Sequence, residues 1–429
     1  MFGLLLALLA TGLPIAFCLG STALIFGYFL WGPASLAVIV NSAYSQMGNF
    51  ILVAVPLFVF MGIMLERSGI ADALFGMMHV WFGSLRGGLG IGTIAVCAIF
   101  AAMSGLSSTG TVTMGLIALP AMLKRGYDKR MAIGSVGAGG GLGVLIPPSV
   151  PLIFFAWLAG ESVGRLFLGG VFPGLLLATL YASYIGIRSF FQPHLGPALP
   201  PEERGSWREK GRALRAVILP ILLVIAVLGS IFTGMATPSE AAAMGAFGSI
   251  ICAIVYRRLR WRVVKETAYR TAQITAMMLW ITIAAKSFTV VYTGIGGPEL
   301  VRGLVQGAEL SPWIILIAMQ VIWIIMGCIM DPMGITMITI PIFLPIAKFF
   351  GFDIVWFGLL HAVNMEMGLL TPPFGWNLFY LKGIAPEGIS IRDIYSSVFP
   401  FITLQALALV IIMLFPQIVL FLPNLILGK

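Results

Sequence analysis

The chain has 429 residues and a net charge of +9; 59% of its residues are hydrophobic and only 10% are charged. So few charged residues cannot cover a water-facing surface, which excludes a soluble globular protein of this length. Apolar runs recur from Phe2 to Leu427, so one anchor on a soluble domain is excluded too, and we expect an all-α polytopic membrane protein.

Nine segments are apolar over the roughly 20 residues that a helix needs to cross about 30 Å of hydrocarbon. In chain order they are Phe2–Trp31, Asn49–Leu65, Met131–Leu158, Phe167–Ile187, Ala216–Phe232, Pro238–Tyr256, Ala272–Tyr292, Ile354–Leu381 and Val398–Leu422. No Lys or Arg precedes Arg67, so the basic start of a secretory signal is missing. We therefore expect the first segment to be retained in the mature protein.

Two further apolar stretches, 88–122 and 312–348, are interrupted near their middle. The interruptions are Ser104-Gly105-Leu106-Ser107-Ser108-Thr109-Gly110 and Asp331-Pro332-Met333-Gly334. At about 1.5 Å per residue, each arm is too short to cross comfortably, so both stretches are expected to be re-entrant helical hairpins. The short amphipathic segments Ala71–Leu85 and Pro298–Glu309 precede them and are expected to lie as horizontal connectors.

The basic residues indicate the orientation, because cytoplasmic loops collect Lys and Arg. If the N-terminus is cytoplasmic, 20 of the 25 basic residues lie on the cytoplasmic side of the membrane, and Lys286 lies within a membrane span. The remaining four, on the periplasmic side, are Arg165, Arg302, Lys348 and Lys429. This asymmetry accounts for the positive net charge without nucleic acid as a partner.

The two halves of the chain repeat the same order of helix-breaking residues at an offset of 225 positions. The matched pairs include Pro120 with Pro345, Gly126 with Gly351, Asp128 with Asp353, Gly143 with Gly368, and Pro147-Pro148 with Pro372-Pro373. We therefore expect a first repeat over 1–190, a cytoplasmic linker over 191–215 and a second repeat over 216–429. The predicted topology opens the two hairpins to opposite faces, so the repeats are inverted, which is typical of secondary transporters.

Each repeat also contains a helix that we expect to be broken, over 131–158 and 354–381. The expected breaks are Gly139–Gly143 before Pro147-Pro148, and Asn364–Gly368 before Thr371-Pro372-Pro373. A break in a helix leaves backbone carbonyl groups without hydrogen-bond donors. These groups must line a cavity or hold an ion. Hairpin tips meeting broken helices would supply carbonyl and hydroxyl oxygens for a hard cation such as sodium, beside half-helix N-termini that favour a carboxylate.

Short motifs along the whole chain resemble those of one transporter family. They include Pro56-Leu57-Phe58, Arg86-Gly87-Gly88-Leu89, Gly126-Tyr127-Asp128, Ile146-Pro147-Pro148-Ser149, Gly164-Arg165-Leu166-Phe167, Thr237-Pro238-Ser239-Glu240-Ala241-Ala242 and Glu366-x-Gly368-x-x-Thr371-Pro372-Pro373. The chain resembles the large membrane subunit of tripartite ATP-independent periplasmic (TRAP) transporters. One departure is Leu106, which stands in the first tip where the family often has serine.

The resemblance implies an elevator-type, sodium-coupled uptake system for organic acids in the bacterial inner membrane. It also implies two partners, a small four-helix membrane (Q) subunit and a periplasmic solute-binding (P) protein that delivers the substrate. No catalytic residue and no cofactor other than the coupling sodium ions is expected. The alternatives are a stand-alone sodium–carboxylate carrier and an intramembrane channel. The sequence has no nucleotide-binding or zinc-protease motif that would favour an enzyme.

The candidate substrate and ion-binding residues lie at the two tips and in the two broken helices. They are Ser104, Ser107, Ser108, Thr109, Gly141, Gly143, Asp331, Pro332, Met333, Gly334, Asn364, Glu366, Gly368 and Thr371. Sodium is expected near Ser104, Ser108, Gly141, Gly143, Gly334 and Gly368. Helix capping alone is the alternative for the hydroxyl groups and Asp331, and a structural hydrogen bond is the alternative for Glu366.

Overall fold

The computed structural model describes residues 1–200, 202, 204–215, 217–307 and 310–428. Within these residues the chain folds into α-helices joined by short connections and forms no β-strand. Six of the described helical segments are long and apolar enough to cross a membrane, and the two helices Trp207–Arg215 and Ile218–Phe232, taken together, would add a bent seventh. The expected all-α polytopic fold is therefore confirmed.

The first half contains ten α-helices within the described residues. They are α1 (Phe2–Ala10), α2 (Ile15–Phe26), α3 (Ala34–Met47), α4 (Ala54–Arg67), α5 (Ile70–Phe82), α6 (Gly88–Ser104), α7 (Ser107–Lys124), α8 (Lys129–Gly141), α9 (Val150–Ala159) and α10 (Val163–Phe191). The linker to the second half carries one short amphipathic helix, α11 (Trp207–Arg215).

The second half also contains ten helices in the part of the chain that the structure covers. They are α12 (Ile218–Phe232), α13 (Pro238–Val255), α14 (Trp261–Gly294), α15 (Gly297–Gly307), α16 (Pro312–Gly327), α17 (Pro332–Phe349), α18 (Ile354–Leu370), α19 (Trp376–Ile384), α20 (Ile391–Leu414) and α21 (Gln417–Leu427). The end of the predicted connector over Pro298–Glu309, at positions 308 and 309, and the predicted periplasmic Lys429 lie outside the described residues.

The halves share their helix order around the hairpins. Helices α7 and α17 begin 225 positions apart, as do α8 and α18. Asp128 caps α8 by accepting a 3.0 Å hydrogen bond from the amide of Met131, and Asp353 caps α18 in the same way with Trp356. A carboxylate cap satisfies amide groups that the helix itself leaves unpaired. The 225-residue offset is thus a structural repeat.

Two of the predicted single spans are wrong. Segment Phe2–Trp31 is two helices, because Gly12 takes a positive φ of +81° and Pro14 is extended. Segment Val398–Leu422 is likewise divided between α20 and α21 at Pro416, which begins the second helix. Helix α3 was not among the predicted segments, since its polar residues lower its hydropathy.

The broken helices are present, but both breaks lie later than predicted. Helix α8 continues through Gly141, and its break follows from Leu142 to Ser149. Helix α18 continues through Leu370, so Asn364–Gly368 is regular helix and the break begins at Thr371. Glycine and asparagine keep their amide donors, whereas Pro372-Pro373 has none to continue the helix. The second break therefore begins next to its proline pair, whereas the first begins at Leu142, five residues before Pro147.

Helix α8 lies in the centre of the first half, packed against α6, α7 and α20, and α18 packs against α16 and α20. A second group of helices packs together, with α4 against α13 and α14, and α2 against α14. We call the two hairpins and two broken helices the inner part, and the group of α2, α4, α13 and α14 the outer layer.

Candidate functional site

The first hairpin tip is Gly105-Leu106, between α6 and α7, and it contacts the break after α8. Gly105 has a φ of +63°, and a Cβ atom there would lie 2.2 Å from the carbonyl oxygen of Pro148. The amide of Val150 donates a 3.3 Å hydrogen bond to the Gly105 carbonyl. A Cβ atom on Gly143 would lie 2.8 Å from the carbonyl carbon of Leu106. Tip and break are thus packed backbone to backbone, which requires glycine at these positions.

The second tip, Cys328–Asp331, repeats this arrangement in the second half. The amide of Phe374, in the break after α18, donates a 3.3 Å hydrogen bond to the carbonyl of Cys328. A Cβ atom on Gly368 would lie 2.7 Å from the Cα atom of Gly327. Each tip therefore contacts the broken helix of its own half.

Asp331 is the N-cap of α17. One of its carboxylate oxygens accepts hydrogen bonds of 3.0 Å and 3.2 Å from the amides of Met333 and Gly334. Pro332, Met333 and Gly334 form the first turn of α17, and a Cβ atom on Gly334 would lie 2.4 Å from the side chain of Ile15 in α2. The predicted alternative of a capping role for Asp331 is therefore present in the structure, and the second tip touches the outer layer.

The hydroxyl groups of the first tip differ in what they bind. Ser104 donates to the Phe100 carbonyl, 3.0 Å away in its own helix. Ser107 donates a 2.8 Å hydrogen bond to the side-chain oxygen of Asn377 in α19, so it links the two halves. Ser108 and Thr109 are half-buried, and their hydroxyl groups have no hydrogen-bond partner in the described part of the chain. These two hydroxyl groups are consequently free to bind a ligand.

Sequence reasoning missed two residues beside the first tip. Asn377 is fully buried and also donates a 3.2 Å hydrogen bond to the carbonyl of Gly137 in α8. Thr111 is fully buried against Gly140, and its hydroxyl group has no partner among the residues described. The signal for Asn377 is a polar amide side chain in the otherwise apolar second arm of a broken helix. The signal for Thr111 is its position one helical turn after Ser107, on the same face of the helix.

In the second half, Thr371 and Asn364 are held by neighbouring backbone groups. Thr371 donates to the Met367 carbonyl at 2.8 Å and ends α18. Asn364 donates to the main-chain oxygen of Gln320 in α16 at 3.0 Å. The amide oxygen of Asn364 is buried and has no partner within the described residues. Asn364 therefore keeps one free acceptor at the contact between hairpin and broken helix.

Glu366 and Gly141 lie where the two halves meet. The hydroxyl group of Tyr181, in α10, donates a 3.1 Å hydrogen bond to Glu366, and all of Glu366 is buried. A Cβ atom on Gly141 would lie 3.0 Å from the Glu366 side chain. Positions 141 and 366 are themselves 225 apart, so equivalent residues of the two repeats touch. The structure thus places Glu366 against Tyr181 and Gly141, at a contact between repeats.

The tips can bind charge of either sign. The N-termini of α7 and α17 begin at the two tips, and a helix N-terminus carries a partial positive charge that attracts anions. Backbone carbonyl groups of the breaks and the free hydroxyl groups of Ser108 and Thr109 are oxygen donors for a hard cation. Both tips are arranged so that an anion and a cation could be bound side by side.

Comparison with known proteins finds one family over nearly the whole chain. The family described as "Tripartite ATP-independent periplasmic transporter, DctM component" matches residues 2–418. The chain is 34% identical to the C4-dicarboxylate TRAP transporter large permease protein DctM of Rhodobacter capsulatus, over 99% of this chain and 98% of the relative. It is 32% identical to the isethionate TRAP transporter permease protein DctMQ of Oleidesulfovibrio alaskensis, over 98% of this chain and 65% of the relative.

The fold is similar to that of a solved transporter of low sequence identity. The YdaH transporter of Alcanivorax borkumensis superposes with a TM-score of 0.64 at 16% identity, covering 89% of this chain and 88% of that one. A likeness at this identity shows a shared fold.

Proposed function

The chain belongs to the DctM component family of tripartite ATP-independent periplasmic transporters, and we propose that it takes up an organic acid by sodium-coupled secondary transport. The observation that carries this proposal is the pair of hairpin tips, each packed on the broken helix of its own repeat. Secondary transporters place substrate and coupling ions at broken helices between repeats, near the middle of the bilayer.

We propose a carboxylate-type solute as the substrate. The relatives compared above are named for C4-dicarboxylate and for isethionate, and both of these solutes are organic anions. The helix N-termini at Ser107 and Pro332 supply the partial positive charge that such anions need. The anion would lie between the two tips, near the contact of Ser107 with Asn377.

We propose one sodium ion at each tip. At the first tip, the hydroxyl group of Ser108 and carbonyl groups around Gly143 supply oxygen atoms. At the second tip, backbone carbonyl groups near Gly334 and Gly368 do so. Ser104 and Gly141 contribute less in this proposal, because the Ser104 hydroxyl group is bonded within α6 and Gly141 faces Glu366.

We propose an elevator mechanism in which the inner part slides against the outer layer. Hairpins and broken helices, α6–α9 and α16–α19, would move, while α2, α4, α13 and α14 would stay. The pseudo-symmetric halves give two equivalent end states, in which the tips face opposite sides of the membrane.

We further propose the bacterial inner membrane as the location, with a small Q subunit and a periplasmic solute-binding protein as partners. The name DctMQ joins the two membrane components, and this chain covers only 65% of that relative. The remaining length of the relative is consistent with a fused Q subunit.

Uptake by proteoliposomes tests this function. The chain and its Q subunit are reconstituted, and uptake of a radiolabelled C4-dicarboxylate is measured with and without an inward sodium gradient and with and without loaded binding protein. Uptake is expected only when both are supplied. Equal uptake without the binding protein would favour the stand-alone carrier, and uptake that requires ATP would overturn the proposal.

A further inference from the structure

A cavity of about 360 Å³ lies between the amphipathic helix α15 and the hairpin helix α17. Its charged lining residues are Glu299 and Arg302 of α15 and Lys348 of α17, and Phe349 lies beside them. The cavity is separate from both tips, since it lies at the opposite end of α17 from Asp331.

Two unpaired cations in this place are unusual for the chain. The predicted topology puts only three of the described basic residues on this side of the membrane, and the third, Arg165, lies 3.8 Å from Glu161. Neither Arg302 nor Lys348 has a carboxylate within ion-pair distance in the part of the chain that is described. The face with the fewest cations thus concentrates two of them in one cavity.

The Arg302 guanidinium group contacts an aromatic ring at the edge of the cavity. Its central carbon lies 4.8 Å from the centre of the Phe349 ring, within the range of a cation–π interaction. Arg302 is exposed, and this contact leaves its donors free for a carboxylate, which a guanidinium group can bind through two parallel hydrogen bonds. Glu299 opposes an anion, but the two cations leave the cavity with a net positive charge.

We infer that this cavity is a peripheral binding site for a small organic dianion. Its volume is near the lower end of the roughly 300–1,000 Å³ that ligand pockets span, so it suits a dicarboxylate of a few carbons. Arg302 and Lys348 each bind one carboxylate. An anionic phospholipid headgroup presents the same chemistry at the membrane surface, so the experiment separates the two sources. Binding of a dianion in this cavity does not require transport.

Titration of the purified chain with succinate, in nanodiscs of zwitterionic lipid and sodium-free buffer, tests the inference. Without sodium the proposed tip sites lack their coupling ion, so calorimetry is expected to report the peripheral site. Arg302→Gln and Lys348→Gln should each weaken succinate binding by about tenfold, which is the effect of losing one charge-assisted hydrogen bond. Glu299→Gln, in the same cavity, should strengthen it, and Arg165→Gln, on the same face, should leave it unchanged.

Three results would overturn the inference. They are no succinate binding by the wild-type chain without sodium, equal binding by the wild type and both cation variants, and complete displacement of succinate in nanodiscs that contain anionic phospholipid. The last result would assign the cavity to a lipid headgroup. Thermal unfolding of every variant verifies the fold, and failure of sodium-coupled uptake would leave these binding results standing.

Discussion

Replacing Gly143 by alanine tests the contact between the first tip and its broken helix. The new Cβ atom would lie 2.8 Å from the carbonyl carbon and oxygen of Leu106 and 3.0 Å from the amide nitrogen of Ser107. All three are backbone atoms, so no side chain can rotate away. Ordinary contact begins at 3.4 Å, so tip and break must separate by about 0.6 Å. Overpacking of this kind costs about 1–3 kcal/mol.

A displacement of this size should weaken sodium binding, because ligand groups must be held within about 0.5 Å of their productive positions. Sodium at 100 times its Kd stabilises the folded chain by about 2.7 kcal/mol. A tenfold loss of affinity would remove about 1.4 kcal/mol of that stabilisation. The contribution of the first tip to the sodium-induced rise in Tm should therefore fall to about half in Gly143→Ala, so with an equal site at the second tip the whole rise should fall by about a quarter.

Gly186→Ala is the matched control, since its Cβ atom would lie 3.5 Å from Ile91, an ordinary contact. Its sodium response should equal that of the wild type. If Gly143→Ala is folded and keeps the full sodium-induced rise in Tm, the assignment of a sodium ion to the first tip is refuted.

Three further predictions concern topology and stability. In a cysteine-free background, Ser206→Cys should react with an impermeant thiol reagent only from the cytoplasm and Leu300→Cys only from the periplasm; labelling of both from one side would contradict the inverted repeats. Asp331→Ala should lower the free energy of unfolding by about 0.5–2 kcal/mol in denaturant titration, whereas Asp331→Asn, which can still cap, should lower it less. Tyr181→Phe leaves the buried Glu366 oxygen without its donor, so it should lower stability by about 1–3 kcal/mol; an unchanged Tm would show that this hydrogen bond contributes nothing.

Much of the fold could be predicted because glycine, proline and aspartate act locally. The hairpins, the paired caps at Asp128 and Asp353 and the order of the repeat all depend on residues that end or begin helices wherever they occur. The exact breaks could not be placed, because a glycine permits an irregular backbone without requiring it. Gly141 is such a glycine, since it ends the regular helix α8 and packs against Glu366.

The candidate site was harder to predict, because its contacts join residues far apart in the sequence. The partner of Ser107 is Asn377, 270 positions later, and no local pattern links them. The sequence predicts that Glu366 lies in a break of its helix, as a binding residue or with a structural hydrogen bond. Since α18 is continuous there, its regular turn directs the side chain toward Tyr181 instead.

The proposed sliding motion can be tested by cross-linking. Ile15 of the outer layer touches Gly334 at the second tip, so a cysteine pair at these positions should be bridged by mercuric ion and lock the inner part. Met61 and Gly245 touch within the outer layer and provide the control pair. Sodium-driven uptake should stop when the first pair is bridged, return after reduction, and continue with the control pair bridged. Undiminished uptake with Ile15→Cys and Gly334→Cys bridged would contradict the elevator mechanism.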